Sequence, residues 1–497
     1  VLTLGFLAAS NRDLIVVARP LMQEFADQHN VSVVLASPDG DTMVCHEVVH
    51  SRSMLFTLRV RAGSRLQMGP SALGRALVGS MGDAERDRFL ARLSRAGAPG
   101  LAELQEHVKA AVAQTSGDKI GAIAGDLASV EEMYALKQLI AALGSESVDC
   151  RQDGAALDPS LGRASYLFNP TIAGIESADA LLIIGSNPRF EASVLNARIR
   201  KRYRMGNFPI AVIGEPGELR YEYEYLGAGT ETLAELVSGK GKFAATLKKA
   251  QRPMILIGQG AVAGEGGAAV LSAAAKLASA VGAVTAEWNG FAVLHTAASR
   301  VGGLDLGFVP GANGKTAAEM VTASDVLFLL GADEIDLAER KSGFTVYIGS
   351  HGDNGAHAAD VILPGATYTE KSGTWVNTEG RVQVGNRAGF APGDAREDWA
   401  IIRALSDVLG KKLPFDSLGE LRSKLYAAHP HFADIDAIAT GNGDEIAALG
   451  QKAGEMGKSV FASPVKDFYL TNPIARASAV MAECSALARN NFKAAAE

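Results

Sequence analysis

The chain has 497 residues, 47% of them hydrophobic and 21% charged, with a formal net charge of −7. At about 150 residues per domain, that length holds roughly three domains and supplies apolar residues for several cores. The acidic balance argues against nucleic acid as a partner of the whole surface, because such proteins carry a basic face.

The first residue is Val1 rather than Met, so the chain is expected to begin inside a longer product. Residues 13–30 read as a helix flawed by Pro20, and 31–37 and 41–49 as strands joined through PDGD, a hairpin signal. LFTLRV (55–60) reads as a further strand, and SALGRALVGS and DAERDRFLARL as two helices, which gives the opening an antiparallel α+β character. SRAGAPG has the texture of a linker, and residues 101–114 read as a helix.

From KIGAIAG (119–125) the pattern changes to short continuous apolar runs separated by helical stretches. ALLIIG, IAVIGE, PMILIGQG, AVTAEWN, DVLFLLG, FTVYIGS and ADVILPG then read as buried parallel strands. The expectation is an α/β body over 118–450 with two doubly wound, Rossmann-like units, about 118–220 and 250–400, and a C-terminal segment over 451–497. After KIGAIAG, Ser129 and Glu132 have capping-box spacing, and Met133, Leu136, Ile140 and Leu143 fall on one helical face. The apolar runs are far shorter than the about 20 residues a bilayer span requires.

Chemistry is sparse. In IIGSNPRF, Gly185 and Ser186 turn out of a strand, Asn187 stands at a cap position and Pro188 suits the first helical turn. Such a turn can present N–H groups to a phosphate, although an ordinary strand–helix connection has the same residues. The basic run at 198–204 sits at that helix's C-terminus, where cations offset the dipole. GANGKT is not a P-loop, because the position five before Gly314 is Val309. Cys45, Cys150 and Cys484 are odd in number and widely spaced, and neither His351 with His357 nor His429 with His431 has a zinc frame. An iron–sulfur cluster normally takes four cysteines, so the chain alone assembles none. The residues themselves nominate no catalytic centre and no metal ligand.

One stretch is more specific. ADVILPGATYTEKSGTWVNTEGRVQ resembles the EK-x-GT-x-x-N-x-EGR-x-Q segment of the molybdopterin oxidoreductase superfamily. With DCRQDGAALDPSLGRASYLFNP, HTAASRVGGLDLGFVPGANG and SPVKDFYLTNPIARASAVMAECSALA, residues 117–497 resemble the large iron–sulfur subunit of NADH-quinone oxidoreductase. The resemblance implies a peripheral-arm subunit of respiratory complex I, at the cytoplasmic face of an alphaproteobacterial inner membrane. It would touch the membrane only through the complex, have the other peripheral-arm subunits as partners and bind no nucleic acid directly. It implies 2Fe-2S and 4Fe-4S clusters in N-terminal ferredoxin-like domains absent from this sequence, and a body that has lost its pterin and metal. Glu370, Gly373, Thr374, Asn377, Glu379, Gly380, Arg381 and Gln383 would then be a relic groove motif that holds the fold, with Gly373 and Gly380 at tight turns. A true molybdopterin enzyme is the competing implication, and Cys150 is the only cysteine early in the body.

Residues 1–114, with VLTLGF, VSVVLASPDGDTMVCHEVV and RVRAGSRLQMGPSALGRALVGS, resemble part of the effector-binding domain of IclR-type transcriptional regulators. That resemblance implies a small carboxylate ligand near the backbone of Ser71, Ala72 and Leu73, with half the pocket missing. It also implies a fusion or an assembly chimera near residue 115, and open apolar faces in the partial domain. A regulator module carrying a passenger is the alternative function.

Overall fold

The computed structural model describes residues 12–39, 42–52, 61–67, 101–438 and 441–494, in two compact units, 1–100 and 101–497. Ser71, Ala72, Leu73 and the elements expected over 55–60 and in SALGRALVGS and DAERDRFLARL lie outside the described residues.

In the first unit a helix, Arg12–His29, contains Pro20 and packs on an antiparallel sheet of β1 (Ser32–Asp39), β2 (Thr42–His50) and β3 (Arg65–Gln67), in the order β1-β2-β3. β1 and β2 pair antiparallel as expected, with Asp39 opposite Thr42. Met22 and Ala26 bury against Val49, with Ala18, Val33 and Leu35 around them.

The second unit carries β4 (Ile120–Ala124), β5 (Val148–Asp149), β6 (Ala180–Ile184), β7 (Ile210–Ile213), β8 (Glu224–Gly227) and β9 (Pro253–Ile257). It continues with β10 (Phe291–Val293), β11 (Val326–Leu330), β12 (Phe344–Gly349), β13 (Val361–Pro364), β14 (Gly373–Val376) and β15 (Val382–Gly385). One parallel sheet has the order β10-β9-β6-β7-β8 and the other β13-β12-β11-β4-β5, while β14 and β15 form an antiparallel hairpin. Every residue of β4, β6, β9 and β11 is buried, as expected for parallel strands covered on both faces.

This corrects the expectation of two consecutive units. β4 pairs with β11 through Ile120↔Val326, so the first sheet to start is completed only after the whole of the other has been inserted. The break falls between β5 and β6, not between 220 and 250. The helix over Leu101–Val112 also belongs with the body, since Val108 is part of its core. AVTAEWN is not a strand: Val284 and Asn289 form an isolated bridge, and the strand follows at Phe291. The capping box forms, with Ser129 Oγ accepting from the Glu132 amide and Glu132 Oε2 accepting from the Ser129 amide, and Met133, Leu136 and Ile140 are fully buried.

Each parallel sheet has a point where chain order reverses, between β4 and β11 in one and between β6 and β9 in the other. In open α/β sheets ligands occupy the crevice at the carboxyl ends of strands flanking such a point.

Candidate functional site

At the β4/β11 crevice, the carboxyl ends of β4, β11, β12 and β13 surround a cavity of about 50 Å³. Lys371 forms part of its wall, and its ammonium lies 2.6 Å from Glu132 Oε1 and 2.8 Å from Asp398 Oδ2. All three residues are buried. Burial opposes the lysine's charge, but Asp398 and Glu132 outweigh it and hold the ammonium above the usual lysine range. Burial pushes Glu132 up to about 7, against the pull of Lys371 and with the push of Asp398. The same carboxyl thus closes the capping box with one oxygen and grips Lys371 with the other.

On the other side of this crevice, Gln152 Nε2 donates to Asp126 Oδ1 at 2.7 Å and Glu334 Oε2 at 2.9 Å. Burial, with Asp126 beside it, pushes Glu334 up to about 7, and burial also raises Asp126. Arg476, from the C-terminal segment, joins Asp333 Oδ2, Glu334 Oε1 at 3.2 Å and Asp353 Oδ2 at 2.5 Å. Pro473 and Ile474 of the same segment line the cavity.

The motif over 370–383 wraps this region and spends its polar groups on the fold. Thr374 donates through its amide and hydroxyl to buried Glu131, both at 2.8 Å, and Arg422 Nε donates to Glu131 Oε1 at 2.8 Å. Glu370 Oε2 accepts from the Thr367 amide. Asn377 Oδ1 accepts from the amides of Glu379 and Arg381, closing the hairpin turn in which Gly380 has φ +82°. Glu379 accepts from the Ile172 amide at 2.8 Å, and Arg381 Nη1 donates to Asp436 O at 2.7 Å. Gln383 is exposed on β15. Gly373 differs from expectation: it lies in β14 rather than at a turn, and a Cβ there would stand 2.7 Å from the Trp375 ring.

At the β6/β9 crevice the turn over 185–188 supplies its own anion. Glu191 accepts from Ser186 Oγ at 2.6 Å and the Asn187 amide at 2.8 Å, while Ser463 Oγ donates to it at 2.7 Å. Pro188 opens the helical turn as expected, but the Asn187 side chain makes no capping bond. The basic run is likewise structural: Arg198 and Lys201 pair with Glu176, and Arg202 Nε donates to Ala178 O. In GANGKT, Lys315 Nζ donates to Asp118 O and Thr316 caps a short helix. Cys150 is fully buried and packed in the main core, and burial pushes its thiol up to about 12.

Sequence reasoning marked Glu132 only as a cap and left Lys371, Asp398 and Arg476 unassigned. The available signal was a lysine inside a motif that follows a buried strand, where an ammonium requires partners. Among the described residues no three His, Cys, Asp or Glu gather as a metal site, and no helix is long and apolar enough to cross a membrane.

These nested parallel sheets and their crevices define the class. Residues 102–408 match the family model for molybdopterin oxidoreductase, and the chain belongs to that family. Residues 434–484 match the model for the C-terminal region of the G subunit of NADH-ubiquinone oxidoreductase, and residues 6–115 the model for the C-terminal domain of bacterial IclR transcriptional regulators. The chain is 39% identical over 391 residues to the NADH-ubiquinone oxidoreductase 75 kDa subunit of Reclinomonas americana, covering 75% of this chain and 56% of that one. It is 40% identical over 395 residues to the mitochondrial 78 kDa subunit of Neurospora crassa, covering 76% of this chain and 52% of that one. The chain therefore spans about half the length of the curated relatives it matches. Among solved structures, a chain of the formyltransferase/hydrolase complex from Methylorubrum extorquens is similar with a TM-score of 0.46 at 18% identity, over 63% of this chain and 97% of that one.

Proposed function

We propose that the α/β body is a non-catalytic scaffold in the peripheral arm of NADH-quinone oxidoreductase. Its partners are the arm's other subunits, and it reaches the cytoplasmic face of an alphaproteobacterial inner membrane through them. The iron–sulfur clusters that serve electron transfer from NADH to quinone belong, by the resemblance, to ferredoxin-like domains outside the matched body. Similarity to the complex I subunits over 75% of the chain supports this reading.

The observation that carries the non-catalytic part is the filled β4/β11 crevice. A pterin cofactor does not fit there: the cavity of about 50 Å³ is far below the about 300–1,000 Å³ of small-molecule sites. Lys371 is locked between two carboxylates, which fills the crevice with the chain's own charges. The motif over 370–383 is on this reading a relic whose polar groups hold backbone.

The assembly part is tested in membranes solubilised in mild detergent and resolved on native gels. Peptides from 120–497 are expected in the band that oxidises NADH. Their migration apart from that band would refute the assignment.

A further inference from the structure

The C-terminal segment reaches both crevices. Around the bridge Gly229↔Val460, the Thr230 amide donates to Ser459 O at 3.0 Å and the Phe461 amide to Ala228 O at 2.9 Å. The segment then follows the carboxyl edge of the sheet, with Phe461 buried in the main core and Ser463 bonded to Glu191. Two glycines make room for its backbone: a Cβ at Gly229 would lie 1.9 Å from Ser459 O, and one at Gly260 would lie 2.1 Å from Ala462 O. The connecting residues are less covered, and Lys466 and Phe468 are exposed. Asn472 then caps the turn Pro473–Arg476, which delivers Arg476 to Asp333, Glu334 and Asp353 beside the other sheet.

We propose that residues 459–476 are an intramolecular ligand: a strap seated in a glycine-edged trough on one sheet and latched by Arg476 into an acidic socket on the other. The trough and socket together form a binding site for an extended peptide bearing a guanidinium, supplied here by the chain itself. Release of the latch frees the strap along its length and opens both crevices. A planar guanidinium suits the socket because its fork offers donors to several carboxylates at once, which an ammonium cannot match. The proposal concerns the body alone and does not depend on the assembly reading.

Hydrogen exchange read by mass spectrometry on the full chain tests it. In the unaltered protein, peptides over 228–233 and 457–463 are expected to exchange slowly, like core strands. Arg476→Ala is expected to accelerate both, and 472–478, by about tenfold, with β11 unchanged, since local opening is separable from global unfolding. Arg476→Lys is expected to fall between. Gly260→Val, which displaces the strap from its other anchor, is expected to accelerate 457–463 with Arg476 intact. Rapid exchange of 457–463 in the unaltered protein overturns the proposal. So does acceleration confined to 472–478 in Arg476→Ala, or acceleration of β11 to the same degree as the strap.

Discussion

The helices over 12–29 and 130–142 are both rich in apolar residues, yet they are buried very differently. The second is covered by the sheet around β4 and by the helices Asp398–Val408 and Leu418–Ala428, so Met133, Leu136, Leu139 and Ile140 are all fully buried. Among the described residues the first meets a small sheet: Met22 and Ala26 are buried, while Val17, Leu21 and Phe25, spaced four apart, are 66%, 63% and 53% exposed. An apolar helical face is a demand for a second layer, and it is met only where the fold supplies one.

The strongest way to break this contrast is a cavity in the body. Phe328→Ala in β11, where the ring is fully buried, is expected to cost about 3–5 kcal/mol in denaturant unfolding. Lys371→Met comes next. It leaves Glu132 and Asp398 buried without their cation, a loss of about 3–5 kcal/mol.

A pH series sharpens the picture of the crevice. Glu132 and Glu334 are raised from 4.5 to about 7 by burial, so between those values the folded chain holds protons that the unfolded chain has released. Their contribution is fully present below 4.5 and is lost as pH rises towards 7, then levels off. Glu334→Gln is expected to remove one proton's share of that slope, about 1.4 kcal/mol per pH unit. An unchanged slope in calorimetry across this window would contradict the assignment to Glu334. The smallest effect is expected in the other unit, where Leu21→Gln should stay within about 0.5 kcal/mol, because its side chain is already in water. A cost of several kcal/mol there would show that the helix face is covered.

Local features were legible in the sequence. The capping box at Ser129, the apolar strands β4, β6, β7, β9, β11, β12 and β13, and the antiparallel pairing of β1 with β2 follow from residue chemistry within a few positions. The nesting of the sheets was not, because β4 finds β11 across some two hundred residues and nothing in KIGAIAG names that neighbour. AVTAEWN failed for a related reason: its alternation suits a strand, but the edge place beside β9 goes to Phe291–Val293. At the crevice the motif around Thr374 was visible and its use was not. Glu131, Glu132 and Asp398 are ordinary helix-face acids until the fold brings Thr374 and Lys371 to them. Arg476 lies in a segment with little periodicity, and its partners come from two separate loops.

The central claim is that the β4/β11 crevice is filled from within and holds no pterin or metal. The most direct measurement is molybdenum and tungsten content by plasma mass spectrometry, on full chain purified from cells supplied with both oxyanions. Both metals are expected at the background of an unrelated protein purified in parallel. Either metal approaching one atom per chain, with an oxidised pterin released on denaturation, would contradict the account.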